Sequence, residues 1–181
     1  TRRAGIEKKG SEHTMYDELT QVDIDKMKAE LEHRRLELRP KLIEDVQTAR
    51  EWGDLSENYE YKAAKREKNR NDSRIRYLRR MIETAKVIPF EQSEGVGLFD
   101  EVLVYLENLK QEKTLRVSTA LRQDAMHGIV SKDSPVGKAL LGHHEGERVA
   151  VEVSPDVKYY VEIRRITKAK GDDDSLEIRG Y

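Results

Sequence analysis

The stretch Ala49-Arg-Glu-Trp-Gly-Asp-Leu-Ser-Glu-Asn-Tyr-Glu-Tyr61 lies between two long amphipathic patterns. On its N-terminal side, apolar residues recur at the three- and four-residue spacing of one helical stripe: Ile24, Met27, Leu31, Leu38, Leu42, Val46 and Ala49. On its C-terminal side a second stripe follows: Tyr61, Ala64, Lys68, Asn71, Ile75, Leu78, Ile82 and Ala85. Two such stripes on either side of a glycine predict an antiparallel coiled-coil hairpin over residues 20–88, with an acidic tip at 50–60.

Two features should make the hairpin irregular. Pro40 removes a backbone donor and disfavours helix at Arg39, so the first helix should kink or break there. Lys68 and Asn71 are polar at positions of the second stripe that face the partner helix, and they should weaken the packing at mid-length.

The pattern changes beyond Pro89. Glycine and serine in residues 89–97 predict a linker. Strand-like stretches then cover residues 99–106, 113–119, 148–153 and 159–163. Ser134 and Pro135 should cap and begin a short helix that stops at Gly142. The chain is therefore expected to be of the α+β class, with a small antiparallel β-sheet domain and a short helix over residues 98–168.

The two ends of the chain lack a clear period. Residues 1–19 are polar and predict a disordered leader. Residues 169–181 predict an acidic tail, because Asp172, Asp173 and Asp174 follow one another there, and residues 176–181 are expected to form an additional edge strand.

The composition excludes several classes of protein. The chain of 181 residues has no cysteine, which excludes disulfides, thiolate catalysis and zinc–cysteine sites and fits a reducing cytoplasm. No apolar run reaches the length of a membrane span. We expect a monomer in the cytoplasm, without a membrane partner.

The net charge of −1 conceals an uneven distribution of charge. Residues 44–60 contain six acidic residues against one basic residue, a local net charge of −5, whereas residues 62–80 contain nine basic against two acidic, a net charge of +7.

Asp54 and Glu57 could share a Mg²⁺ ion, which needs only one or two protein carboxylates, and a metal held in this way can activate water for attack on a phosphodiester. Two carboxylates are too few for an autonomous site, so a partner would have to supply further ligands. The basic stalk, which includes Lys62 and Arg66, could hold nucleic-acid phosphates.

Each of these features also has a purely structural interpretation. Asp54-Leu-Ser-Glu57 has the spacing of a capping box, so Asp54 could cap the second helix. The basic run could be no more than a solvated coiled-coil face. The residues alone leave both alternatives open.

The same stretch closely resembles the tip signature of bacterial transcript cleavage factors, the GreA/GreB family. The resemblance rests on residues 49–64, on Arg39-Pro40, on Ala85-x-Val87-Ile88, and on Ser134-Pro135-Val136-Gly137-x-Ala139-Leu140-Leu141-Gly142. These motifs occur in the order of the family and span roughly residues 20–166.

The resemblance implies a coiled coil followed by an FKBP-like domain. It implies that the C-terminal domain docks at the rim of the RNA polymerase secondary channel while the coiled coil enters it. The protein would not be an enzyme but would stimulate the polymerase's cleavage of backtracked RNA 3′ ends. By resemblance, Asp54 and Glu57 are the assisting acidic pair that helps bind a Mg²⁺ ion shared with the polymerase. Arg50 and Lys65 occupy positions where basic residues face RNA.

Two other functions remain possible at this point. One is a non-cleaving regulator of the same fold that competes for the secondary channel. The other is a structural coiled-coil protein, for which the charges at the tip would not matter.

Overall fold

The computed structural model describes residues 18–51, 58–172 and 175–178, and its first helix, α1 (Gln21–His33), begins at a capping box. The Asp23 N–H donates to Thr20 Oγ1, and the Thr20 N–H donates to the Asp23 carboxylate at 3.1 Å. These two bonds satisfy donors that the end of a helix leaves without intrahelical partners.

A two-residue strand precedes this helix. Strand β1 (Glu18–Leu19) pairs in parallel with β2 (Lys86–Val87) at the base of the hairpin. The prediction of a disordered leader is therefore wrong for Glu18 and Leu19. Two residues are too few to show a period, and β2, the strand that pairs with β1, is distant in the sequence.

The first arm changes its helical geometry just before Pro40. Helix α1 passes through a π turn (Arg34–Leu38) into α2 (Arg39–Arg50), and the Arg39 N–H donates to the Arg34 carbonyl, five residues earlier. A proline in a regular helix lacks the N–H and clashes with the carbonyl four residues before it, and a wider turn relieves this clash. The predicted irregularity at Pro40 is confirmed, although the chain stays helical through it.

Helix α3 (Tyr59–Thr84) runs back along α2 and α1 and completes the hairpin. A hydrophobic cluster closes the base of the hairpin, and we call it the base cluster. Its buried members are Leu19, Ile24, Met27, Leu78, Met81 and Leu121, the last of which comes from the sheet domain.

The polar residues at mid-hairpin are buried but bonded. Asn71, which is 3% exposed, accepts a hydrogen bond from Arg34 Nη1 at 3.1 Å and donates one to the Arg34 carbonyl at 3.3 Å. Arg74 donates two hydrogen bonds to Glu30, each of 2.8 Å, and Arg34 donates a third to the same carboxylate at 2.6 Å. A polar band that spans both arms therefore replaces apolar packing at mid-length, where polar residues were predicted to weaken the packing.

The C-terminal part is a curled five-stranded sheet with one short helix. Its strands are β3 (Glu101–Leu106), β4 (Gln111–Ser118), β5 (Ile129–Ser131), β6 (Arg148–Ser154) and β7 (Val157–Thr167), in the order β5-β4-β3-β7-β6. Helix α4 (Pro135–Leu140) is capped by Ser134 as predicted. The structure confirms the α+β class. The sheet is antiparallel apart from β5, a three-residue strand that the sequence did not reveal and that pairs in parallel with β4.

The ends of this domain differ from the sequence predictions. Val96, placed in the linker, is 1% exposed in the core of the sheet domain and exchanges backbone hydrogen bonds with Gly142 and His143. Leu176 and Ile178, expected in an edge strand, lie outside any strand, and Ile178 packs against the base cluster. None of the described helices has the length and apolar character needed to cross a membrane.

Candidate nucleic-acid and metal site at the hairpin tip

Asn58 organises the free end of the hairpin. Its Oδ1 accepts a hydrogen bond from the Tyr61 N–H at 2.9 Å, which caps α3, and its Nδ2 donates to the Ala49 carbonyl at 2.7 Å. One side chain therefore caps the second arm and joins it to the last turn of the first. The alternative in which Asp54 caps the second helix is wrong for α3, because that helix begins at Tyr59 with Asn58 as its cap.

The acidic pair predicted to assist catalysis and to bind Mg²⁺, Asp54 and Glu57, lies in the stretch 52–57, outside the described residues. Both roles therefore stay predictions. Within residues 18–51, 58–172 and 175–178, no group of three or more histidine, aspartate or glutamate side chains has the arrangement of a metal site.

Tyr61 brings two of the predicted RNA contacts together. Arg50, the last residue of α2, and Lys65, on α3, each lie 5.7 Å from the centre of the Tyr61 ring. A cation over the face of an aromatic ring is attracted by the ring's quadrupole, so the ring holds both cations without neutralising them. No role was predicted for Tyr61 beyond its place in the second apolar stripe, and a tyrosine after an acidic tip carries no signal of its own that would indicate a contact with these cations.

The other two predicted contacts lie on the first turns of α3. Lys62 lies over the ring of Tyr59 at 5.8 Å, and Tyr59 is 82% exposed. The Nε of Arg66 donates to the Lys62 carbonyl at 3.4 Å. The four basic residues Arg50, Lys62, Lys65 and Arg66 are all exposed and all lie near the free end.

Carboxylates occupy the same end of the hairpin. Glu44, Asp45 and Glu60 line a shallow cleft between α2 and α3. Carboxylate oxygens are the ligands that Mg²⁺ prefers, so the donor chemistry of this end suits such an ion, with Asp54 and Glu57 as the predicted ligands.

Further from the tip, ion pairs occupy part of the basic run. Asp72 pairs with Lys68 at 2.8 Å and with Arg39 at 2.9 Å, which links the two arms. Burial raises the pKa of the Asp72 carboxyl, but hydrogen bonds from Lys68 and Arg39 outweigh burial and hold that pKa below its ordinary value. This part of the stalk is a paired coiled-coil surface, whereas the predicted RNA contacts lie nearer the tip.

The fold and this site together define a two-domain protein that presents a charged coiled-coil end at a distance from a small β-sheet domain. A sequence model described as the N-terminal domain of transcription elongation factors matches residues 18–87. A second, described as the C-terminal domain of the elongation factors GreA and GreB, matches residues 91–168.

Curated relatives with the same description match this chain over nearly their whole length. The transcription elongation factor GreA of Mesoplasma florum is 35% identical over 150 residues, which are 82% of this chain and 96% of that protein. A GreA of Streptococcus agalactiae is 35% identical over 152 residues, covering 83% of this chain and 94% of its own length. The chain belongs to the GreA/GreB family of transcription elongation factors.

Two solved structures are similar to it more distantly. GreA factor homolog 1 (Gfh1) of Thermus thermophilus is 24% identical, with a TM-score of 0.40 over 84% of this chain and 99% of that one. A GreA/GreB factor of Nitrosomonas europaea is 25% identical, with a TM-score of 0.35 over 52% of this chain and 79% of that one.

Proposed function

We propose that this elongation factor binds RNA polymerase through the secondary channel and stimulates the polymerase's Mg²⁺-dependent cleavage of backtracked RNA 3′ ends. The observation that carries the proposal is the position of Arg50 and Lys65, which approach the Tyr61 ring from opposite arms. They place two cations next to the segment that contains Asp54 and Glu57.

The two kinds of charge have separate tasks in this proposal. Arg50, Lys62, Lys65 and Arg66 hold the phosphates of the RNA 3′ segment by sequence-independent attraction. The carboxylates of Asp54 and Glu57 supply oxygen ligands and orient the attacking water. A shared Mg²⁺ ion would supply charge neutralisation and a more acidic bound water.

The protein acts as an accessory factor and not as a nuclease. Two carboxylates leave most of the coordination shell of Mg²⁺ to other ligands, which the catalytic centre of the polymerase provides. The β-sheet domain supplies docking to the polymerase, so the hairpin is free to enter the channel.

The test uses stalled, backtracked polymerase complexes whose transcripts are labelled at the 3′ end. Addition of the protein should release short labelled fragments and restore elongation. The variant Glu57→Gln should release far fewer fragments, whereas Glu83→Gln, an exposed change near the base of α3, should leave the yield near the parental level.

Two results would contradict the proposal. A protein that slows elongation and yields no fragments would be a non-cleaving competitor for the channel. Cleavage of free RNA by the protein without polymerase, abolished by Glu57→Gln, would make it a nuclease.

A further inference from the structure

The segment that follows β7 starts from a fixed point on the sheet domain. Lys168 Nζ donates to Asp100 Oδ2 and the Ala169 N–H donates to Asp100 Oδ1, each at 2.8 Å. Asp100 is 3% exposed. The family model for the C-terminal domain ends at residue 168, so residues 169–172 and 175–178 are an addition to the part of the chain that it describes.

The segment next meets a buried arginine at the junction between the two domains. Arg122, in the loop between β4 and β5, has a fully buried side chain. Its Nη1 donates to Asp172 at 2.7 Å, its Nε to Asp23 at 2.5 Å and its Nη2 to Thr20 Oγ1 at 3.0 Å. The Arg122 guanidinium, from the sheet domain, thus contacts both the start of α1 and the C-terminal segment.

The segment ends on the hairpin itself. Lys26, on α1, donates from Nζ to the Leu176 carbonyl at 2.7 Å. Ile178 packs against the base cluster. The C-terminal segment is therefore attached to the sheet domain at one end and to the hairpin at the other.

Charge balance indicates what Asp172 does. Asp23 is fully buried and alone suffices to neutralise Arg122, so a second carboxylate is not needed for neutrality. Burial lowers the pKa of the Arg122 guanidinium, but hydrogen bonds to Asp172 and Asp23 outweigh burial and raise that pKa above its ordinary value. The contribution that Asp172 makes is therefore a tether between the segment and the junction.

We propose that residues 168–172 and 175–178 form a strap that fixes the angle between the hairpin and the sheet domain, with Asp172 and Ile178 as positioning residues. The angle matters because the hairpin is a long lever. Helix α3 has 26 residues, and at 1.5 Å per residue a rotation of about 10° at its base displaces its far end by roughly 7 Å. The consequence for cleavage rests on the function proposed above, whereas the effect on the angle does not.

The absence of cysteine allows spin labels to be placed without background. One pair of labels at Asn69→Cys and Lys113→Cys, both exposed, reports the distance between the hairpin and the sheet domain. A second pair at Lys113→Cys and Glu152→Cys lies within the sheet domain and controls for local unfolding. Pulsed electron–electron double resonance on the full chain should give a narrow distribution of label-to-label distances for both pairs.

The full-length double variant Asp172→Ala/Ile178→Ser should broaden the first distribution at least about twofold and leave the second unchanged. The matched variant Glu177→Ala alters an exposed residue of the same segment and should change neither. An unchanged distribution for the first pair in the double variant would overturn the strap.

Cleavage by the same variants separates this inference from the proposed function. If the parental chain stimulates cleavage, the double variant should stimulate it several-fold less at equal polymerase binding. Parental cleavage by a variant whose distribution has broadened would overturn the role of the strap in positioning the tip. If the parental chain does not stimulate cleavage, the proposed function fails while the distance measurement still decides whether the strap fixes the angle.

Discussion

Asn58 caps α3 and bonds to the Ala49 carbonyl, so the start of this helix does not depend on the carboxylate of Asp54. The variant Asp54→Asn keeps the size and hydrogen-bonding capacity of the side chain but removes its charge. It should melt near the parental temperature, bind polymerase with near-parental affinity and lose most of its stimulation of cleavage by the polymerase. Additional Mg²⁺ should restore part of the cleavage, because mass action offsets a weaker site.

Thermal unfolding, polymerase binding and fragment release from stalled complexes are the three measurements for Asp54→Asn. The variant Glu83→Gln serves as the control, because it removes a carboxylate from an exposed position near the base of α3, far from the tip. Parental cleavage by Asp54→Asn at limiting Mg²⁺ would mean that the carboxylate takes no part in the chemistry.

Asn58 itself should matter for stability. The variant Asn58→Ala removes both the cap of α3 and the bond to Ala49, and the loss of a cap alone costs about 0.5–2 kcal/mol. Urea denaturation should show a lower midpoint with an unchanged slope. Asn69→Ala, an exposed change in the interior of the same helix, should move the midpoint little. Equal midpoints for Asn58→Ala and the parental chain would show that the tip does not need this cap.

At the scale of the elements, the polar band at Glu30, Asn71 and Arg74 joins the two arms of the hairpin. Burial raises the pKa of the Glu30 carboxyl, but hydrogen bonds from Arg74 and Arg34 outweigh burial and hold it below its ordinary value of 4.5. A carboxyl whose pKa is lower in the folded chain stabilises the fold above its unfolded-state pKa. That stability is lost as the pH falls through the folded-state value.

The variant Glu30→Gln should therefore lose stability at neutral pH and show a smaller further loss in acid. Urea denaturation midpoints measured between pH 7 and about pH 3 give the slope of stability against pH for the variant and for the parental chain, and the two slopes are compared. Glu32→Gln, exposed on the same helix, should follow the parental pH dependence. An acid slope for Glu30→Gln that equals the parental slope would exclude this carboxyl as a source of the pH dependence.

The periodicity of the sequence predicted both arms of the hairpin, since apolar positions that recur every three or four residues leave few alternatives. It also located the irregularity, because proline cannot donate the bond that a regular helix needs. The π turn and the pairing of Asn71 with the Arg34 carbonyl were not predictable. Both depend on which residues face each other across the hairpin, and a single arm carries no information about that register.

At the scale of the whole molecule, Arg122 and Asp23 join the two domains by a fully buried ion pair. Arg122→Ala would leave the Asp23 carboxylate buried and unpaired, which costs about 3–5 kcal/mol. Asp23→Asn in the same chain should recover part of that loss, because an amide is less costly to bury without a charged partner.

A double-mutant cycle with chemical denaturation measures this coupling. The control is Arg70→Ala, which breaks the exposed pair with Glu67 and should change stability little. Additive effects of Arg122→Ala and Asp23→Asn would show that the pair is not coupled across the junction.

The junction was largely invisible in the sequence. The Thr20-x-x-Asp23 spacing is a capping box and could have indicated the start of α1. Nothing marks Arg122 as a buried residue, because its partners lie 99 and 50 positions away in the chain. The strands with clear alternation were predicted, whereas β1, β2 and β5 have two or three residues each, too few to show a period.

The separation of Asp23 from Arg122 also imposes an order of events during synthesis. The two residues are 99 positions apart, so at about 5–20 residues per second the ribosome needs roughly 5–20 s to add the arginine after the aspartate. In the last part of that interval, after Thr84 has been added, both arms of the hairpin have been synthesised, but Arg122, which pairs with Asp23, and Leu121 of the base cluster are still missing. The base of the hairpin therefore cannot be completed until the first strands of the sheet domain have been synthesised.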